Sequence, residues 1–219
     1  MIKIEKTESY GWEAAVRGMR NPMNSWDKSD SEFYFKWADC GADDCPLSIP
    51  AIGDNDLKLM QSLAKAGDDH GKFLRMINVT ADITAPLYWW KEYDTYKVGT
   101  VANSCSTMHK LAEEKFTLDC FSHDKLNHDG RLMLATFLYA LNTFRDIYLD
   151  TKDPEIWWQM IQLLPQSYNQ KRTVQLNYQV LAHMYFARKN HKLDEWHEFC
   201  AWVEGLPYFK EIVIQEGET

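Results

Sequence analysis

The sequence is poor in the features that mark several large protein classes. No stretch of its 219 residues approaches the ~18 consecutive apolar residues that a membrane helix requires, so no bilayer-spanning segment is expected. The opening MIKIEKTESY carries a charge at every second or third position and does not read as the apolar core of a secretory signal, which makes a cytoplasmic location the expectation. Cysteine is sparse. Five of them, an odd number in a chain too large to depend on staples, fit free thiols in a reducing compartment. Positive charge is in deficit, with 24 Lys+Arg against 32 Asp+Glu and a net charge of -8. A duplex nucleic acid needs a cationic surface and is not expected as a partner, although a local basic pocket for one small anion is compatible with this balance. The sequence also lacks GxxxxGK[ST], GxGxxG after a strand, GxSxG, HExxH and CxxC, which removes the commonest nucleotide, hydrolase and zinc signatures. Cys40 and Cys45 have no second Cys or His pair at zinc spacing. His183, His191 and His197 lie eight and six residues apart, not the four that let two imidazoles share an ion, so no metal site is expected.

What is present is material for a globular core: 45% hydrophobic residues and 14% aromatics, including nine Trp. Residues 2–7 alternate as a short strand, Tyr10 to Arg20 reads as a helix, and 21–56 is irregular, punctuated by Pro22, Pro46, Pro50, Gly41 and Gly53. Three-to-four spacing predicts a helix over about 54–66, capped by Asp54 and stopped at Gly67, and alternation from Phe73 to Ile83 predicts a strand. A helix starting near Pro86, a long helix or two abutting helices over 124–149, and a helix from Pro154 to Pro165 follow. In the long one Leu132, Ala135/Thr136, Tyr139, Thr143 and Ile147 form the apolar period. Val174, Tyr178, Leu181 and Tyr185 predict a helix over about 168–189, with a last helix over 193–204. No internal repeat or linker interrupts this, so the expectation is a single α+β domain over 1–219, mostly helical with a small antiparallel or mixed sheet.

Two segments stand out chemically. Four large aromatics, Tyr88, Trp89, Trp90 and Tyr93, run into VGTVANSCSTMHK, where seven of the eight residues from Ala102 to His109 are small or hydrogen-bonding. Such a backbone suits wrapping a polar ligand, and equally suits an ordinary passage from helix to loop. The second is the 168–189 helix, whose polar side chains include Lys171, Arg172, Asn177, Gln179, His183 and Arg188; a solvated face has the same composition. On one helix Arg172 and Arg188 would stand ~24 Å apart at ~1.5 Å per residue. A ligand touching both must then be long, or its pocket must be assembled from several copies.

The order of these segments resembles the flavin-dependent thymidylate synthases, whose motif is RHRxxSxNExSxRY. LMQSLAKAGDDHGKFLRMINVTADITAPLYWW looks like that family's helix, its turn bearing a His (here His70), a strand and an Ala-Pro before the signature helix. ANSCSTMH falls on the motif's second half, with Asn103 on its Asn, Ser106 on its central Ser and His109 on its closing Tyr. LPQSYNQKRTVQLNYQVLAHMYFARKNHKLDEW resembles the family's Leu-Pro turn, flavin-contacting helix and the segment after it. There Asn177 matches a flavin-contacting Asn, Arg188 the nucleotide-binding Arg and Lys171 another Arg, while His191 falls near a flavin-contacting His. The similarity covers about residues 54–204, leaving 1–53 as an irregular N-terminal part.

The chain departs from the pattern at informative places. RHR is replaced by Thr95-Tyr96-Lys97 or Tyr96-Lys97-Val98, the motif Glu by Ser104 and its phosphate-gripping Arg by Met108; Gln179 and His183 replace an Arg and an Asn. Losing charged donors to a phosphate weakens binding by several kcal/mol in order of magnitude. The resemblance implies a homotetramer with FAD between subunits, reductively methylating dUMP or a related pyrimidine deoxynucleotide with NADPH and methylenetetrahydrofolate. It implies substrate contacts from Lys97, Asn103, Ser104, Ser106, Lys171 and Arg188, and cofactor contacts from His70, Tyr96, Asn177, Gln179, His183 and His191. Arg172 would add a cation, and Trp89, Trp90 or Tyr96 a stacking face. The flavin supplies the hydride chemistry in such a scheme, so no catalytic residue is assigned and Cys105 and Ser106 need not act as nucleophiles. The alternative expectation is a catalytically silent homologue that binds a nucleotide or another small anion, or serves in assembly.

Overall fold

A computed structural model of the chain describes residues 2–33, 50–108 and 110–215. Cys40, Cys45, His109 and residues 34–49 of the irregular N-terminal part lie outside the described residues. The elements in order are β1 (Lys3–Tyr10), α1 (Trp12–Arg20), α2 (Asp54–Lys65), β2 (Asn78–Pro86), α3 (Leu87–Tyr93), β3 (Thr100–Ser104), α4 (His128–Thr151), α5 (Pro154–Leu163), β4 (Asn169–Asn177), α6 (Tyr178–Arg188) and α7 (Asp194–Glu204). The strands make one antiparallel sheet in the order β1-β2-β4-β3. The predicted α+β class, helix-rich with a small sheet, is what the structure has. By density of contacts the chain forms two compact units, and β2, β3 and β4 each run from one into the other.

The first unit contains Ile83–Thr95 and Ala102–Thr173. Its core joins Phe116 and Phe121 to Leu134, Leu138 and Leu141 of α4 and Met160 of α5, all buried. Asn127 caps α4 by accepting from Gly130 N–H, and Asp153 caps α5 by accepting from Glu155 N–H, with Pro154 in the first turn where no donor is needed. The sequence expectation of a long helix is met by one continuous helix, but its core face is not the predicted one. Leu132, Tyr139 and Ile147 are exposed, and the parallel stripe Leu134, Leu138, Leu141 is buried instead. Both stripes are apolar, so periodicity alone could not choose between them.

The second unit contains the described residues of Ile4–Asp82, with Tyr96–Val101 and the chain from Val174 onward. Trp12, Tyr178 and Phe209 are buried in edge-on contact, with ring centroids 5.2 and 5.5 Å apart. The same unit holds a buried ion pair: Arg20 Nε at the end of α1 is 2.6 Å from Asp56 Oδ1 in the first turn of α2. Asp56 Oδ2 also accepts from the hydroxyls of Ser29 and Ser31 at 2.7 and 2.6 Å and from the Asp30 and Ser31 N–H groups. Burial alone would raise the Asp56 carboxyl, but the donors Ser31, Ser29 and Arg20 together hold it below its ordinary value. Asp30 reciprocates by accepting the N–H groups of Asn55 and Asp56, two of the donors that open α2 without an intrahelical partner. Gly53 makes this approach possible, because a Cβ there would stand 2.2 Å from Asp30 Cγ and 2.4 Å from its carbonyl oxygen. Gly53→Ala is therefore expected to cost about 1–3 kcal/mol in urea unfolding, as overpacking does; an unchanged midpoint would show that the 30–31 turn yields freely.

Two strand boundaries correct the sequence reading. The predicted strand at 73–83 begins only at Asn78, because Gly71–Arg75 forms a short 3-10 turn that buries both Phe73 and Leu74, neighbours that a strand would send to opposite faces. The predicted helix at 168–189 is two elements. Gln170, Val174 and Leu176 are buried while Lys171 and Thr173 are exposed, so β4 runs to Asn177, whose side chain accepts from Val180 N–H and starts α6. The four-three-four spacing of Val174, Tyr178, Leu181 and Tyr185 is a coincidence across that junction, and the ~24 Å helical ruler between Arg172 and Arg188 does not apply. The small polar segment after α3, composed like a loop, supplies strand β3.

Candidate functional site

In the second unit, α6 ends at Arg188, a cation in the last turn where the helix dipole favours it. Its Nε donates to the Tyr96 hydroxyl at 2.9 Å. The guanidinium carbon lies 4.9 Å from the Trp196 ring centroid and 5.5 Å from that of Tyr96. His191 edges onto the same indole at 6.4 Å, and its Nδ1 accepts from Leu193 N–H, which puts the proton of the neutral ring on Nε2. Tyr96, Arg188 and His191, all expected site residues, are thus gathered around Trp196, which the sequence reading did not name. Its signal was the indole five residues after His191 in HKLDEW, at a spacing that a short turn folds back.

Along α6 toward its start runs a second polar group. Arg75 Nε donates to Gln179 Oε1, and His183 Nε2 lies 3.3 Å from Asp68 Oδ1. A hydrogen bond from Gln179, and after it the contact with His183 and the charge of Arg75, hold the Asp68 carboxyl below its ordinary value. Gln179 and His183 are therefore both engaged with residues 68–75, with His70 exposed at the head of that turn. Asp68 and Arg75 were not anticipated. Asn177 spends its side-chain oxygen on capping α6, and a Cβ on Gly99, at φ +77°, would press to 3.0 Å from its Nδ2 and 2.8 Å from Val180. Lys97 is exposed in the turn just before.

The first unit holds the other expected contacts. Asn103 and Ser104 are exposed at the end of β3. Cys105 N–H donates to Lys171 O at 2.9 Å, and Gln170 Nε2 donates to Cys105 O at 2.9 Å, so the 103–106 stretch runs beside Lys171 on β4. The Ser106 hydroxyl accepts from Met108 N–H. Two expectations fail here. Trp89 and Trp90 are wholly buried and present no stacking face, and Trp90 donates its N–H to Gln170 O. Arg172 is not an available cation, because it lies 4.2 Å over the Trp90 ring and pairs with Asp94 at 2.7 Å.

Each unit by itself offers donors that suit a polar, anionic group: in the second, an arginine between two aromatic rings and Lys97; in the first, the exposed side chains of Asn103 and Ser104 and Lys171. A flavin carrying a diphosphate finds in this set donors but few unopposed charges, since Asp68 stands against His183 and Asp94 against Arg172. The residues fit such a group through Tyr96, His191, Asn177 and Arg188. Among the described residues no three His, Cys, Asp or Glu side chains converge as for a metal ion, and no helix is long and apolar enough to cross a membrane.

The fold that carries these residues is that of the flavin-dependent thymidylate synthases. The chain superposes on ThyX from Helicobacter pylori solved with FAD and dUMP at a TM-score of 0.68 and 15% identity, over 99% of this chain and 100% of that one. A second structure of the H. pylori enzyme with the same ligands gives 0.67 and 15%, over 96% and 97%. PolB from Streptomyces cacaoi, a UMP/dUMP methylase bound with 5-Br dUMP, gives 0.58 and 14%, over 94% and 89%. No protein-family model matches the chain. No curated protein matches it by sequence.

Proposed function

We propose that this chain is a flavin-dependent thymidylate synthase-like enzyme, a homotetramer that reductively methylates dUMP or a related pyrimidine deoxynucleotide, with FAD bound where subunits meet. The observation that carries the reading is the pairing of Arg188 with Tyr96. These two residues, 92 apart in sequence, were each assigned to the ligand site by motif position, and their contact assembles an arginine and an aromatic face in one place. The nucleotide phosphate is the ligand group for Arg188 and Lys171, with Asn103, Ser104 and Ser106 as neutral donors and Lys97 as a further cation; Tyr96, Asn177 and His191 hold the flavin, with His70, Gln179 and His183 beside it. Asn103 and Arg188 serve one ligand set by belonging to different copies in the assembly. FAD supplies hydride transfer when bound, with NADPH and methylenetetrahydrofolate as co-substrates, and the protein supplies position and field.

The second reading is a catalytically silent homologue that binds a nucleotide or serves in assembly. The commitment of Arg172 to Asp94 and Trp90 favours it, because it removes one cation that a rebuilt phosphate site would use. An absorbance scan between 350 and 500 nm of protein purified with added flavin separates the two. The enzyme reading expects a bound-flavin spectrum surviving gel filtration, with bleaching by NADPH. Colourless protein that gains thermal stability with dUMP but not with FAD supports the silent homologue instead.

A further inference from the structure

One face of α1 borders a cavity that the reading above leaves unused. Glu13, Val16, Arg17 and Arg20 follow at spacings of three, one and three, which places all four on one side of the helix. With Trp26, Ser29 and Phe33, all in the second unit, they line about 240 Å³ of open space. Sites for drug-sized molecules run to about 300–1,000 Å³, so this one has room for a single substituted ring. Val16, 3% exposed, gives it an apolar floor, and Trp26 and Phe33 give it aromatic walls. The Trp26 indole is half exposed and is held by its N–H, which donates to Asn21 Oδ1 at 2.8 Å.

Arg20 gives the cavity its chemistry. The side chain is 5% exposed, its Nε donates to Asp56 Oδ1 and its Nη1 to Ser25 O at 3.2 Å, and among the described residues Nη2 has no hydrogen-bond partner. The sealed polar side-chain atoms without a partner, again among the described residues, are Trp89 Nε1, Tyr93 Oη and Asn169 Oδ1. Arg20 Nη2 is not one of them, so it reaches accessible space, and the cavity is the space that Arg20 borders. A donor so placed calls for an acceptor. The Ser29 hydroxyl spends its proton on Asp56 Oδ2 and has only lone pairs to offer. Charge along the helix face is balanced: Asp56 answers Arg20, and at the exposed rim Glu13 Oε1 lies 3.9 Å from Arg17 Nη1. A carboxylate entering here meets the field of Asp56, and an ammonium that of Arg20, whereas a neutral group meets neither penalty. The neutral group that both accepts and donates in this sense is a carboxamide, with its oxygen for Nη2–H and its NH2 for Ser29 Oγ.

We infer that the cavity beside α1 binds a small neutral aromatic carboxamide, its ring against Trp26 and Phe33 and its amide between Arg20 and Ser29. This goes beyond the nucleotide and flavin reading and does not rest on it. Titration of the full chain with benzamide, followed by saturation-transfer NMR, should give a saturable signal, with benzoate and benzylamine bound at least about tenfold more weakly. Trp26→Ala removes one wall without touching the core and should weaken benzamide about 2- to 10-fold, the worth of an aromatic pair. Val16→Phe should fill the cavity and abolish saturation. An excess of FAD or dUMP should not displace benzamide. No saturable benzamide signal, benzoate or benzylamine bound as tightly, affinity unmoved by both Trp26→Ala and Val16→Phe, or displacement by FAD or dUMP overturns the inference. If Val16→Phe fails to fold, Trp26→Ala decides. Flavin absorbance recorded on the same samples keeps the two ideas apart: colourless protein that binds benzamide removes the flavin reading and leaves this site standing.

Discussion

Replacing Asp56 with alanine is expected to lower the melting temperature by about 6–20 °C. The carboxylate is fully buried and its partner Arg20 is 4% exposed, so truncation leaves a guanidinium without its counter-charge in a place that water does not reach. Breaking a buried pair from one side costs about 3–5 kcal/mol, and each kcal/mol moves the midpoint of a domain this size by about 2–4 °C. Ser29, Ser31 and two backbone N–H groups lose their common acceptor as well. The same site predicts a dependence on acid. Because folding lowers the Asp56 pKa, its contribution is fully present above the unfolded carboxylate value of about 3.9 and is lost as pH falls through the lower folded value. Asp56→Asn should flatten that part of the pH–stability curve while remaining less stable than the unmodified chain near neutrality. A variant within a degree of the parent would show that Arg20 finds another acceptor.

Arg188→Ala is expected to remove most of the stabilisation that dUMP confers. A hydrogen bond to a charged group is worth about 1.5–3 kcal/mol, or roughly a 10- to 150-fold change in affinity at 1.4 kcal/mol per decade. With dUMP at a hundred times the parent's dissociation constant, the parent gains about 2.7 kcal/mol, and the variant should keep between about 0.3 and 1.3. Arg188→Lys retains the charge but loses the flat group that lies over Trp196 and Tyr96, and should fall between the two. The oligomeric mass of both variants should equal that of the parent. A thermal shift in Arg188→Ala equal to that of the parent would take Arg188 out of the ligand site.

Much of the architecture was legible because the chain follows simple rules where it is most regular. Asp54 to Lys65, Leu87 to Tyr93 and Asp194 to Glu204 are helices near their predicted bounds, each with a Gly or Pro close by. β4 was not legible, because its inward positions include Gln170 and Arg172, polar residues that satisfy themselves on Cys105, Asp94 and Trp90 and so hide the alternation. Those contacts are long-range, and no local pattern encodes them. The site followed the same division. Motif position nominated Arg188, Tyr96 and His191, which the structure brings together, while Trp196, Asp68 and Arg75 beside the nominated residues emerged only when distant segments were seen side by side. The stacking role given to Trp89 and Trp90 failed because aromatic composition is equally the signature of a core.

Pro86 ends β2 and Leu87 begins α3; Asn177 ends β4 and Tyr178 begins α6. At neither junction does a connecting loop intervene. Deleting or inserting one residue there would swing the following helix by a hundred degrees and turn every side chain of the strand to the wrong side. Length is thus frozen at these two points, and a chain of this fold has substitution as its main outlet for change there. A chain only 15% identical to the Helicobacter pylori enzyme can still be laid over it almost end to end.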